Sequence, residues 1–133
     1  MHPSIQIEGT SHHVYLADFG LSQLMVDTRT LGTQTCQQGT PSFQSHEQLT
    51  AMDVGTEADI YAFGCLAVEL FGGKPVWEGL HPYQIITKVV IHREKLNIGH
   101  LDPKLHPLCK ACLSDSNDRI STCEALQIVL NFV

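Results

Sequence analysis

Charge is scarce in this sequence. Of its 133 residues only 17% are Asp, Glu, Lys or Arg, against about 25% in an ordinary globular protein, so part of the surface is expected to face other protein. Positive charge is the scarcer sign. Eight Lys and Arg stand against fourteen Asp and Glu, for a formal net charge of -6, and the eight are scattered. A phosphate-binding face needs clustered basic side chains, so the charge balance argues against nucleic acid and anionic membrane surfaces as partners. Long apolar runs are missing too: nothing approaches the roughly 18 residues of a membrane span. The first residues do not show the charged-then-apolar order of a secretory leader.

Paired cysteine is also lacking. The five cysteines, at 36, 65, 109, 112 and 123, are odd in number and irregular in spacing, which reads as free thiols in a reducing, cytoplasmic setting rather than a disulfide framework. Cys109-Lys110-Ala111-Cys112 has no second ligand pair at zinc spacing. Both sulfurs fall mid-helix on an apolar stripe, away from the helix N-terminus that would activate a thiol. They read as core side chains. The eight histidines are dispersed, and no internal repeat occurs.

What is present is order. Ile5 and Ile7, then Val14 and Leu16, alternate with polar neighbours around Gly9-Thr10-Ser11, which predicts a β-hairpin over residues 4 to 17 with its turn at 9 to 11. From Gly20 to about Gly55 no period holds, and Thr, Gln, Ser and Gly dominate. That is a loop well beyond the 12 to 15 residues a compact domain carries without a reason. Residues 58 to 71 are apolar all round, with only Asp59 and Glu69 charged, and such a helix belongs at the centre of a domain. A central position would bury both Phe63 and Leu66. Gly72-Gly73 ends this helix and Pro75 prevents an immediate restart.

Pro82 opens the next helix, with Ile85, Ile86, Val89 and Val90 on one face. Leu105, Leu108, Cys109, Cys112 and Leu113 repeat at i, i+3, i+4, i+7 and i+8, predicting an amphipathic helix over 104 to 113. Ser121 and Glu124 form a Ser-x-x-Glu capping box at the start of the last helix. The fold class that follows is mainly α, one domain with a short N-terminal hairpin and a long loop.

The sequence of features is the informative part: a strand pair ending in Asp18-Phe19-Gly20, a long loop, Gly39-Thr40-Pro41, Glu47, a buried helix beginning at Asp59, and a late Asp118-Arg119. Together and in this order they resemble the C-lobe of the protein kinases, from about Ile5 to Leu130. The resemblance implies that Asp18 binds Mg²⁺ on the phosphates of ATP, that Phe19 packs beneath the nucleotide with Gly20 following, and that the loop is an activation segment with Thr33 and Thr35 as candidate phosphosites. Gly39-Thr40-Pro41 resembles the substrate-receiving loop of Ser/Thr kinases. Asp59 would accept backbone N–H groups from a catalytic loop, and Glu47 would pair with Arg119. Ser45-His46-Glu47 stands where the family has Ala-Pro-Glu, and Phe43 where a Tyr is usual.

Set against the family, the 133 residues hold no Gly-rich loop, no Lys on an upstream strand and no His-Arg-Asp stretch, and the first Asn is Asn97. The expectation is therefore a partial protein kinase domain spanning 1 to 133, the C-lobe from the strand pair before Asp18-Phe19-Gly20 to the last helices, beginning where the family's catalytic loop should be ending, of Ser/Thr type and inactive by itself. Its partners would be a protein substrate and ATP with Mg²⁺, their binding to the isolated chain being doubtful on this sequence. The alternative is a pseudokinase-like noncatalytic interaction module. A metal or thiol protein on a small helical domain is the third class. The setting would be cytoplasmic, or the cytosolic side of a membrane if an upstream part carries a span.

Overall fold

The computed structural model describes residues 4–7, 10–13, 15 and 40–132. Contacts divide the chain into two compact units, residues 1–32 and 33–133, where length alone suggests one. In the first unit β1 (Ser4–Ile7) pairs antiparallel with β2 (Thr10–His13), Ser4 opposite His13 and Ile7 opposite Thr10. This register differs from the expected one: Thr10 and Ser11 are strand, not turn, because β-branched Thr is at home in a pleated ladder. The predicted strand through residues 14, 16 and 17 lies outside the described residues, as does most of the long loop.

The second unit is helical. A 3₁₀ turn at Pro41–Phe43 and the short α1 (His46–Leu49) come first, inside a stretch expected to be loop. Four residues are too few to show a period. The local signal is Ser45 with Gln48: the Ser45 N–H donates to Gln48 Oε1 at 3.0 Å, and its hydroxyl donates to the same oxygen at 3.2 Å. α2 runs Glu57–Gly72. Gly73 closes it in the left-handed region at φ 70, its N–H donating to the Glu69 carbonyl, a conformation that costs glycine little. The Glu69 carboxylate then accepts the Val76 N–H at 3.2 Å and fixes the exit of the chain.

α3 (Pro82–Ile86) passes into a π-helical turn at Thr87–Ile91, with Ile85 and Val89 buried on the predicted face. After a 3₁₀ turn at Pro103–Leu105, α4 (His106–Cys112) buries Leu108, Cys109 and Cys112. α5 (Thr122–Leu130) starts at Ser121, whose N–H donates to Glu124 Oε2 at 2.7 Å while the Glu124 N–H donates back to Ser121 Oγ at 3.3 Å. Both bonds of the predicted capping box are made.

Two apolar clusters organise this unit around α2. Tyr61, Cys65, Ala67 and Val68 meet Val76, Leu101, Cys109 and Leu113 on one side, with Phe43 and Trp77 packed against them. Ile60 meets Leu108, Cys112 and Ala125 on the other. Burial pushes the Cys65 thiol up to about 12 and Cys112 up to about 11, so both stay protonated and inert at neutral pH.

One expectation fails. Phe63 is 40% exposed and Leu66 is 51% exposed, so α2 is central on one side and open on the other. Its apolar circumference leads to the expectation of full burial, but among the described residues only half of it is covered.

α2 and α4 approach so closely that a Cβ at Gly64 would lie 2.8 Å from Cys112 Cβ and 3.1 Å from Leu113 Cδ2. In an open helix Gly→Ala stabilises by about 1 kcal/mol. Gly64→Ala is expected to do the reverse, costing on the order of 1–3 kcal/mol in a urea unfolding curve because neither neighbour can retreat without opening the core. A stabilised Gly64→Ala protein would contradict this packing.

Candidate functional site

The best-defined polar constellation lies where α1, α2 and the turn before α5 meet. Arg119, in the segment between α4 and α5, reaches back across the unit. Its Nη1 donates to Glu47 Oε1 at 2.5 Å and its Nη2 to Glu47 Oε2 at 3.4 Å. The same guanidinium donates from Nη1 to the Glu57 carbonyl at 2.8 Å and from Nε to the Ser114 carbonyl at 3.0 Å. Its Cζ stands 5.1 Å from the centroid of the Tyr61 ring, within cation–π range.

The pair is almost dry, the Arg119 side chain being 2% exposed and that of Glu47 8%. Burial alone would raise the Glu47 carboxyl's pKa. The Arg119 hydrogen bond, helped by the residue's own backbone N–H and by Ser45, outweighs it and holds the carboxyl below its ordinary value. Arg119 is the right residue for this place: a planar fork supplies two parallel bonds to one carboxylate and still has N–H groups for two carbonyls, which an ammonium cannot do.

The pair floors a polar cleft of about 480 Å³ whose walls include His46, Arg93, Lys95 and Asp115. Lys95 and Asp115 pair at 2.6 Å on the exposed rim, a contact worth at most about 1 kcal/mol. Slight burial, then the nearby Arg93 charge, hold His46 below its usual pKa against the opposing pull of Glu47 and Asp115. His46 is thus uncharged at neutral pH.

The other sequence-predicted residues are spread differently. Asp18, Phe19, Gly20, Thr33, Thr35 and Gly39 lie outside the described residues. Thr40 is exposed just before the Pro41 turn, and Phe43 packs against the core cluster around Tyr61 and Cys65. Asp59 stands exposed in the first turn of α2, where its charge faces the positive end of the helix dipole. Among the described residues no group of three or more His, Cys, Asp or Glu could hold a metal ion. No described helix is long and apolar enough to cross a membrane. Sequence reasoning missed the two carbonyls and the Tyr61 face that complete the Arg119 site. Backbone acceptors leave no trace in side-chain identity, and Tyr61 reads simply as part of an apolar run.

A helical unit with a buried Glu–Arg clamp joining a Thr-Pro segment to its last helix is what protein kinase catalytic domains contain in their C-lobe, and comparison with known sequences agrees. The family described as the protein kinase domain matches residues 5–130, and the chain belongs to that family. It is 31% identical over 119 residues to mitogen-activated protein kinase kinase kinase 3 of Arabidopsis thaliana, covering 86% of this chain and 18% of that protein. It is 37% identical over 87 residues to 3-phosphoinositide-dependent protein kinase B of Dictyostelium discoideum, covering 60% of this chain and 9% of that protein. Over 73 residues it is 37% identical to the probable serine/threonine-protein kinase PknB of Corynebacterium glutamicum, covering 54% of this chain and 11% of that protein. The chain therefore spans a small part of the length of these relatives.

Removing either partner of the clamp strands a buried charge. Glu47→Gln and Arg119→Ala are each expected to cost about 3–5 kcal/mol, and Arg119→Lys should recover only part of that, because one ammonium cannot reproduce the fork. The pH dependence has a definite sign. The folded-state value of Glu47 lies below the ordinary 4.5, so its stabilisation is complete above that value and is lost as pH falls through the lower folded one. Urea midpoints of the native and Glu47→Gln proteins should converge as the pH is lowered below about 5. A gap that stays constant down to strong acid would contradict the assignment.

Proposed function

We propose that this chain supplies the helical, substrate-facing part of a Ser/Thr-type protein kinase domain, and that the 133 residues by themselves do not transfer phosphate. The observation that carries the first half is the Glu47–Arg119 clamp: it joins the end of the segment containing Thr40 and Pro41 to the turn before α5, 72 residues away in sequence. Such a clamp anchors one end of a loop while leaving the rest free to rearrange. Thr40-Pro41 then sits at the edge of the anchored portion, suited to receiving a protein segment that presents a Ser or Thr hydroxyl. The relatives' printed names, which include a serine/threonine-protein kinase, support the same specificity. In this reading Asp18 is the Mg²⁺ ligand, Asp59 the acceptor that steadies a catalytic loop, and Thr33 and Thr35 the sites whose phosphorylation would order the loop. The four free cysteines among the described residues suit a cytoplasmic setting.

The second half rests on chemistry. Phosphoryl transfer depends on positioning and on charge stabilisation by a glycine-rich loop, a Lys on the phosphates and an Asp that accepts the substrate proton. None of the three stretches that provide them occurs among these 133 residues, and nothing at the described site replaces them. Incubated with ATP, Mg²⁺ and a Ser/Thr peptide, the chain should give no labelled product above a blank. Transfer that disappears in Asp18→Ala would overturn the inactive reading. Failure of both Glu47→Gln and Arg119→Ala to loosen the 40–50 segment toward protease would instead remove the clamp's anchoring role.

A further inference from the structure

The cleft above the Glu47–Arg119 pair contains polar groups that the clamp does not use. Its volume of about 480 Å³ is that of a small-ligand site, and every lining residue belongs to the second unit, between His46 and Arg119. Most of its charges are already matched. Arg119 holds Glu47, Lys95 pairs with Asp115 at 2.6 Å, and Lys88 pairs with Glu94 at 2.8 Å. Four lining side chains able to donate a hydrogen bond are not engaged: Arg93, His46, Ser116 and Asn117 make no hydrogen bond or ion pair among the described residues.

These donors face one region. Arg93 acts electrostatically on both His46 and Asp115, and Ser116 and Asn117 directly follow Asp115 in the chain. A guanidinium offers a planar fork of N–H groups, an uncharged imidazole one N–H, and a hydroxyl and a carboxamide further donors. Arg93 also occupies its place at a cost. It follows the π-helical turn that ends at Ile91 and has φ 52, the left-handed conformation in which glycine is usual. Among the lining charges it is the cation without an ion pair. Asp53 is the lining carboxylate without one, and its charge directs an anion away from itself, toward Arg93.

From this set of unengaged donors we infer that the cleft binds the phosphate of a phosphorylated Ser or Thr side chain in a protein segment. The Arg93 fork takes two phosphate oxygens, and His46, Ser116 and Asn117 are donors for the third. A carboxylate has only two oxygens and would leave part of the set unused. The phosphate brings a charge of about -1.5 to -2 at neutral pH, which answers the unpaired guanidinium. Nucleic acid presents a continuous array of phosphates and needs clustered cations. A single phosphate does not, so the site is compatible with a chain in which basic residues are few and scattered. A phosphate alone fills a small part of the cleft, and the remainder is room for the backbone on either side of the phosphorylated residue. The inference stands on the cleft and does not rest on the phosphotransfer reading.

Fluorescence anisotropy with the full chain tests this, using a short labelled peptide of neutral residues around one phosphoserine. Its binding should saturate, while the unphosphorylated peptide and one with Glu in place of the phosphoserine should bind about tenfold more weakly or worse. Arg93→Gly suits φ 52 better than arginine does. It should leave the urea midpoint unchanged or raised and still weaken binding about tenfold. Lys104→Gln removes the same charge at an exposed position outside the cleft and should bind as the native chain does. By NMR the His46 ring, identified through His46→Gln, should titrate at higher pH with the phosphopeptide bound, because a nearby anion favours its charged form. The other charges around it, Arg93, Lys95, Glu47 and Asp115, are the same in both titrations. Any of five outcomes would overturn the proposal: no saturable binding, a Glu peptide that binds equally well, inorganic phosphate that binds as tightly as the phosphopeptide, equal losses in Arg93→Gly and Lys104→Gln, or a His46 titration that the phosphopeptide does not move. An Arg93 with only a structural role would show the reverse pattern, a lower urea midpoint in Arg93→Gly with binding retained.

Discussion

Taking the Arg119 guanidinium out of water costs several kcal/mol, and only a nearly complete set of partners offsets it. The second unit is arranged to provide that set. Glu47 comes from α1, a carbonyl from the first residue of α2, another carbonyl from the end of α4, and an aromatic face from Tyr61 one turn further along α2. Each partner is held by its own element: α1 is started by Ser45 and Gln48, and α2 by its packing on α4. Move any of these and a charge is left without its acceptor. The interaction thus contributes less as net stabilisation than as a constraint, since only one relative placement of three helices satisfies it. The low exposure of both side chains matters here, because a surface pair such as Lys95–Asp115 imposes no comparable demand.

The same contrast explains why a polar cleft can sit directly above a charged pair. Glu47 and Arg119 neutralise one another in the floor, so the wall charges of Arg93, Lys95 and Asp115 face solvent without a buried counter-charge beneath them. His46 takes its neutral form in that field. The clamp at Glu47 ties the short helix α1 to the turn before α5.

Elements with a long period were legible in the sequence. The faces of α3 and α4 followed from Ile85, Val89, Leu108 and Cys112, and the start of α5 followed from Ser121 and Glu124, because each depends on side chains three or four residues apart. α1 was not legible, since four residues cannot establish a period and Gln48 is a quieter capping partner than a Glu. The pairing of Glu47 with Arg119 came from resemblance alone: no local pattern connects residues 72 positions apart. Register in the strand pair was misread because Gly9-Thr10-Ser11 has turn composition, yet a ladder accepts Thr10 and Ser11 equally well.

The error over Phe63 and Leu66 has a more general cause. Apolar circumference reports how much surface a helix is built to bury, whereas burial reports how much protein is there to cover it. For α2 the two quantities differ by one face. The low charge content of the whole chain has the same origin, since surface that is to be covered cannot carry ions without a desolvation cost.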